Sequence, residues 1–239
     1  MLRSRQVAQL AAVVVGAALV VVVAILVSGG GDDPETPGPR GLTSTSTVAD
    51  EVDKLYKGIP QDGIHLGDPK APATLVEIAD LQCPFCAAYS TGALASVVND
   101  YVRPGKIRYE LRFRSFLGRD SVRAAGAAAY AAQQDLMYQF ADVFYRNQGP
   151  EESGYADRTF ITDVASQVTG LDPEKTADAA DDPLSQPLVR ENEQFARDIG
   201  STSTPDFYVR KGGRLQPLNP QGTEPEDYAR ALDAILGAQ

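Results

Sequence analysis

The 239-residue sequence predicts an α/β fold interrupted by an all-helical block, with an apolar segment of membrane-spanning length ahead of it. Three observations carry this. Residues 74–79 form a strand-length apolar run, interrupted by Glu77, that breaks at once into a helix opening on Cys83-Pro84-Phe85-Cys86. Residues 106–116 (KIRYELRFRSF) alternate with period two, Ile107, Tyr109, Leu111 and Phe113 against charged neighbours, as a half-buried strand does. Between residues 119 and 200 the apolar spacing turns helical and stays so.

In chain order, residues 1–6 carry Arg3 and Arg5, and residues 7–28 form an apolar segment in which 7–27 are nearly all Ala, Val and Leu, with Gln9 the clear polar exception. A hydrocarbon core of ~30 Å takes about 20 helical residues, so this run is long enough to span it. Arginines before it and Asp32, Asp33 and Glu35 after it place the N-terminus in the cytoplasm and the rest outside. The rival reading is a cleaved signal peptide, whose apolar region is usually ~7–15 residues long and ends in a small-x-small site. The longer run favours an uncleaved anchor. Either way the folded part sits outside, where disulfides persist. Residues 29–57 read as a linker: Gly, Pro, Ser, Thr and acids too poor in apolar groups to fold, then a short helix. Thr47, with Asp50 three residues on, opens that helix, and Val48, Val52 and Leu55 form its apolar stripe. The domain proper is expected over 58–239.

Composition narrows the function. Hydrophobic content of 43% allows a sizeable core, and a net charge of −10 argues against nucleic acid, which needs a basic patch. The acids are dispersed, as on a solvated surface. The one histidine, His65, falls in a candidate edge strand at 64–66 and reads as a surface strand residue before a catalytic base.

The chemistry converges on the two cysteines, the only ones in the chain. Pro84 suits a helix's first position, where a missing N–H goes unpaired anyway. That places Cys83 at the helix N-terminus, where free N–H groups and the dipole favour a negative sulfur. Cys86 lies one turn in, close enough to bond to it. Such a thiol has its pKa lowered from ~8.5 to roughly 3.5–7.5, and its disulfide passes readily to another thiol. The competing readings are weaker. A structural disulfide over so short a loop stabilises little. Zinc needs about four ligands, which two cysteines and one histidine do not supply. Two inert buried thiols remain open, though the strand–Cys–Pro–x–Cys–helix setting is an odd place for them. Dithiol–disulfide exchange is the reading adopted.

Downstream, the Ala-rich 121–132 leads to Met137, Phe140, Val143 and Phe144, then Ile161, Val164 and Val168, then Leu188, Phe195 and Ile199, each a helical face. Gly149-Pro150, Gly170 to Pro173, and Asp182-Pro183 punctuate them. The aromatic group Tyr138, Phe140, Phe144 and Tyr145 reads as core before peptide groove. Pro205 opens a strand at 207–210, which proline tolerates at its start. Residues 211–214 form a hairpin turn before a strand at 215–218, and Glu224-Pro-Glu-Asp opens a last helix bearing Tyr228, Leu232 and Ile235.

Asp80-Leu-Gln-Cys-Pro-Phe-Cys86 after a strand, with Gly67-Asp-Pro-Lys-Ala-Pro72 before it, resembles the DsbA-like branch of the thioredoxin superfamily. The likeness runs from about residue 58 to the C-terminus and is strongest to the membrane-anchored Gram-positive members of BdbD type. It implies a thioredoxin fold with the helical block, about 119–200, inserted, and a second parallel strand at 106–116. It implies a cis peptide at Thr204–Pro205 facing the cysteines, with Pro84, Phe85, Thr204 and Pro205 contacting substrate. Glu77, six residues before Cys83, is implied to lie buried beneath the disulfide and to exchange a proton with Cys86; otherwise it is a surface carboxylate. The implied activity is extracytoplasmic: the Cys83–Cys86 pair introduces disulfides into reduced secreted or surface proteins, with no cofactor and no metal. The implied partner is a membrane quinone-linked reoxidant of DsbB or vitamin-K-epoxide-reductase type. One residue departs from the pattern. Phe85 stands where the most oxidising relatives carry a histidine, and it cannot donate a hydrogen bond. A reductase or isomerase of the same fold therefore remains an alternative, and a redox-inactive binding module of that fold a third reading.

Overall fold

The computed structural model describes residues 45–237; the expected cytoplasmic tail, the anchor and most of the linker lie outside the described residues. Among the described residues no helix is long and apolar enough to cross a membrane.

Alternation in two central strands organises the domain. β1 (Gln61–Asp62) and β2 (His65–Leu66) form a short edge, followed by β3 (Ala73–Ala79), β4 (Arg108–Phe113), β5 (Asp206–Lys211) and β6 (Arg214–Pro217). The sheet order is β1–β2–β4–β3–β5–β6, with β3 and β4 parallel and the other pairs antiparallel. β4 is shorter than the sequence run because its flanks bond elsewhere. The N–H groups of Lys106 and Ile107 go to the carbonyl of Tyr101, while Phe116 and Leu117 turn their N–H groups to Asp80.

Successive strand residues point to opposite faces. Leu75 and Ala79 of β3, with Tyr109, Leu111 and Phe113 of β4, enter the main core; Val76 and Ile78 join Tyr208 and Ala196 in a second cluster. Glu77 has the phase of Leu75 and Ala79, so it points into the main core. Glu110 has the opposite phase and is also buried, held by Arg112 (2.5 Å), Arg210 (2.7 Å) and His65 (3.5 Å). Burial pushes its carboxyl up, but these three partners outweigh it and hold it well below the usual range. His65 is thus a half-buried strand residue engaged with that carboxylate.

The main core takes in residues of α1 (Thr45–Tyr56), α2 (Pro84–Thr91), α3 (Leu94–Val97) with its π-helical continuation Val98–Val102, and α5 (Met137–Arg146). The inserted block between β4 and β5 comprises α4 (Arg119–Gln133), α5, α6 (Arg158–Ser166), α7 (Pro173–Asp181) and α8 (Pro187–Asp198); α9 (Pro225–Gly237) closes the chain. α1 begins two residues before the expected Thr47, and Val48, Val52 and Tyr56 bury its stripe in the core. Tyr138, Phe140, Phe144 and Tyr145 are all buried. On α8 the buried positions are Val189, Asn192 and Ala196, with Phe195 and Ile199 packed at the margin of the second cluster. The buried stripe thus sits one residue off the expected Leu188/Phe195/Ile199 line, whose members are only partly buried: Leu188 packs against the main core and Phe195 and Ile199 against the second cluster.

Small residues let α4 approach α7 closely. A Cβ on Gly126 would run into the Ala179 carbonyl and the Pro183 ring. Because the opposing group is backbone, Gly126→Ala is expected to cost about 1–3 kcal/mol in overpacking. Denaturant unfolding checks this, and an unchanged midpoint would contradict the close contact.

Candidate active site

Strand register brings the two sequence stretches together. Ile78 pairs with Asp206, so Thr204 and Pro205, just before β5, lie level with the end of β3 where the cysteine loop begins. The Thr204–Pro205 peptide is cis. The Cys83 thiol donates to the Thr204 carbonyl at 3.3 Å.

Asp80 shapes the turn between β3 and α2. Its buried carboxylate accepts from the backbone N–H of Gln82 (2.8 Å), Phe116 (3.1 Å) and Leu117 (3.3 Å) and from the Ser121 hydroxyl (2.6 Å). Its carbonyl accepts from the Cys83 N–H (3.0 Å) and the Tyr145 hydroxyl (3.2 Å). Gln148 donates to the carbonyls of Leu81 (2.8 Å) and Cys83 (3.2 Å). The loop is therefore fixed from α4, α5 and the segments that flank them, and Cys83 enters α2 as its N-cap, with extended φ/ψ of −70°/120° and Pro84 at the first helical position.

The two sulfurs then meet opposite environments. Both cysteines are free thiols, Cys83 at the mouth of the site and Cys86 wholly buried beneath it. A hydrogen bond from the Cys86 thiol, against a smaller cost of burial, lowers the Cys83 pKa to about 6; Thr204 and the N–H groups of Cys86 and Phe85 help. These last two are the free donors of a helix's first turn. Burial, the bond to Cys83 and the nearby Glu77 charge push Cys86 well above its ordinary value.

Glu77 lies in the same core, 3% exposed, and accepts a hydrogen bond from the Tyr109 hydroxyl, which also contacts the Tyr89 hydroxyl at 3.2 Å. Burial raises its pKa to about 8, against the lowering effect of Tyr109 and with a further push from Cys83. It is not the surface carboxylate that the strand pattern alone also allowed. Around the mouth, Pro84 is exposed and Phe85 is 70% exposed, an isolated apolar ring beside Cys83.

All seven residues singled out from the sequence thus gather at one end of the sheet. Sequence reasoning missed Asp80, Tyr109 and Gln148. Asp80 carried a signal, a turn-forming residue three before Cys83. Tyr109 carried a weaker one, the inward phase of β4. Nothing marked Gln148.

A low-pKa thiol at a helix tip, a buried partner thiol one turn in, and a cis-proline loop across the sheet define a dithiol protein of thioredoxin type. The family model described as Thioredoxin matches residues 60–233, and the chain belongs to that family. Among curated proteins it is similar to "Probable disulfide bond formation protein D" of Bacillus cereus, 27% identical over 188 residues, 76% of this chain and 77% of that one. It is also similar to disulfide bond formation protein D of Bacillus subtilis, 23% identical over 60% of this chain and 66% of that one. Among solved structures, oxidised BdbD of Bacillus subtilis matches with a TM-score of 0.64 and 19% identity, covering 75% of this chain and 98% of the other. DsbA of Chlamydia trachomatis matches with a TM-score of 0.62 and 16% identity, covering 74% and 92%.

Proposed function

We propose that this protein is a thiol–disulfide oxidoreductase that passes the Cys83–Cys86 disulfide to reduced secreted or surface proteins. The observation that carries it is the asymmetry of the pair: a sulfur lowered to about 6 at the mouth, above one that burial keeps protonated. A substrate thiolate attacks Cys83, the S–S bond breaks towards Cys86, and Cys86 gains a proton. A second substrate thiolate then attacks the substrate sulfur of the mixed disulfide, leaving the substrate oxidised and Cys83 as a stable thiolate leaving group. Glu77 is the group that gives Cys86 its proton and takes it back on reoxidation. Pro84, Phe85, Thr204 and Pro205 line the approach to Cys83, where an extended peptide would lie along the Thr204 backbone.

Residues 7–28 would tether the domain to the cell membrane with residues 1–6 in the cytoplasm and 58–239 outside; the disulfide formation in the relatives' names supports the outward placement of the domain, because disulfides persist outside the cytoplasm. A membrane quinone-linked protein of DsbB or vitamin-K-epoxide-reductase type would restore the disulfide. Oxidation of a reduced model protein by the disulfide form tests the assignment, and no acceleration over buffer would overturn it.

Phe85 keeps the reductive direction open as a second reading. Its side chain offers Cys83 no hydrogen bond beyond that of its backbone N–H, and ~30 mV corresponds to about 1.4 kcal/mol in this couple. A glutathione redox titration decides: a potential near about −120 mV marks an oxidant, one near ~−270 mV a reductase. Phe85→His adds a donor at the exposed position and is expected to lower the Cys83 pKa further and raise the potential by about 30 mV or more. An unchanged potential would show that the residue between the cysteines does not tune the pair.

A further inference from the structure

Glu77 has no route of its own to water. It is 3% exposed, so a proton that it accepts from Cys86 must leave through the protein. Beside it lies a small, largely enclosed cavity of about 10 Å³, lined among others by Glu77, Tyr109, Tyr138, Tyr145, Tyr56 and Asp142. This is the space that one water needs, and carboxylate and hydroxyl groups supply the two to four partners that a buried water requires.

The far wall of the cavity is a second buried acid. Asp142 is 1% exposed; one carboxylate oxygen accepts from the Tyr56 hydroxyl (3.3 Å) and the other from Arg146 Nε (2.7 Å). Arg146 reaches Glu51 at 3.0 Å, and that side chain is 65% exposed. A chain of polar groups therefore runs from the Glu77 cavity to bulk water. The titratable groups facing Asp142 are Tyr56 and Glu51 from α1, Arg146, Tyr138 and Tyr145 from its own helix, and Glu77 and Tyr109 across the cavity. Burial raises the Asp142 carboxyl above its ordinary range even though Arg146 and Tyr56 pull it down, so it can hold a proton in passing. Tyr56 and Glu51 both precede residues 60–233, the span matched by the family model.

We infer that Asp142 is the second station of a proton relay, taking the Glu77 proton through one cavity water and releasing it beside Arg146 and Glu51. The inference rests on the Glu77 role proposed above. During reoxidation, Cys86 S–H gives its proton to Glu77 and the thiolate attacks Cys83 sulfur in the mixed disulfide with the oxidising partner. The S–S bond to that partner breaks, and the partner leaves as a thiolate carrying the electron pair. Glu77 then passes its proton to the water, which passes one to Asp142. In substrate oxidation the proton runs inward by the same path. α1 is then part of the site, because Tyr56 closes the cavity and Glu51 forms its outlet.

The test follows Cys86 resolving a mixed disulfide between Cys83 and a chromogenic aromatic thiol, in full-length protein, by stopped flow between about pH 5 and pH 9. Asp142→Asn keeps the size, still accepts from Arg146 Nε through its one amide oxygen, and reverses the other contact so that its NH2 donates to the Tyr56 oxygen. It is expected to slow resolution about tenfold, below the ~10²-fold or more of removing a general base, and to change the solvent deuterium isotope effect. The Glu77→Gln/Asp142→Asn double variant should be no slower than Glu77→Gln, because both act on one proton. Tyr56→Phe, which keeps the core packing, should give a smaller slowing with the same non-additivity. If Glu77→Gln slows resolution while Asp142→Asn and Tyr56→Phe leave rate, pH profile and isotope effect unchanged, the relay is wrong and the Glu77 role stands. Effects of Asp142→Asn that add fully to those of Glu77→Gln would also overturn it. Wild-type rates in Glu77→Gln would remove the Glu77 role and the relay with it.

Discussion

Cys83→Ser is expected to reduce oxidation of a reduced model protein to the uncatalysed background. Cys86→Ser, left with no disulfide to pass on, should be equally inactive as an oxidant. Its Cys83 thiolate should nevertheless attack an added aromatic disulfide, displace one aromatic thiolate and hold the other as a mixed disulfide, which Cys83→Ser should not do. The difference follows from position. Cys83 sits at the mouth with its carbonyl anchored by Gln148 and its sulfur at the helix tip, and Cys86 lies sealed beneath it. Serine at 83 keeps the N-cap, since it is a good capping residue, so lost activity reports on the sulfur and not on the helix. The same variant alters stability with a predictable sign. The folded Cys83 pKa is about 6 against an ordinary 9.0, so the thiolate's contribution to the reduced form is fully present above 9.0 and lost as pH falls through about 6. The reduced Cys83→Ser protein should lack that pH-dependent gain. Thermal melts of the reduced forms at several pH values would show it, and parallel curves for variant and parent would argue against a stabilised thiolate.

Glu77→Gln carries the second large effect, in opposite directions for activity and stability. Exchange should slow by about 10²-fold or more, the range for removing a positioned acid–base group. The fold should become more stable in alkali. The folded pKa of Glu77 is raised from 4.5 to about 8, so the stability associated with its protonated form is complete below 4.5 and lost as pH rises through about 8. Glutamine stays neutral throughout and can still accept from Tyr109. The variant should therefore outlast the parent above pH ~8, with a flatter profile between the two pKa values. A variant less stable than the parent at every pH would mean that Glu77 serves the fold and not the chemistry.

The sequence carried the cysteine helix and the alternating β4 strand because each is a local pattern: Pro84 at a helix start, and Ile107, Tyr109, Leu111 and Phe113 at spacing two. The placement of Thr204–Pro205 against Cys83 is not local. It depends on β5 returning antiparallel to β3 after some ninety residues of helix, which periodicity does not reveal and the family likeness did. Glu77 shows the same limit. Its phase in β3 points it inward, but a single carboxylate in a short apolar run reads equally well as an edge residue until Tyr109 and Cys86 are seen on the same side. The Asp80 network and the α1–α5 contact through Tyr56 and Asp142 were illegible for a different reason. Each joins side chains far apart in sequence by hydrogen bonds that no spacing encodes.

The most direct test of the account is the titration of Cys83 in the reduced protein, followed by thiolate ultraviolet absorbance with Cys86→Ser and Cys83→Ser as assignments. The account predicts a single thiolate appearing with a midpoint near 6 in the wild type and lost in Cys83→Ser. A midpoint near the ordinary 9.0 would contradict it, because a thiol of that kind is neither a favoured leaving group nor held by the helix tip.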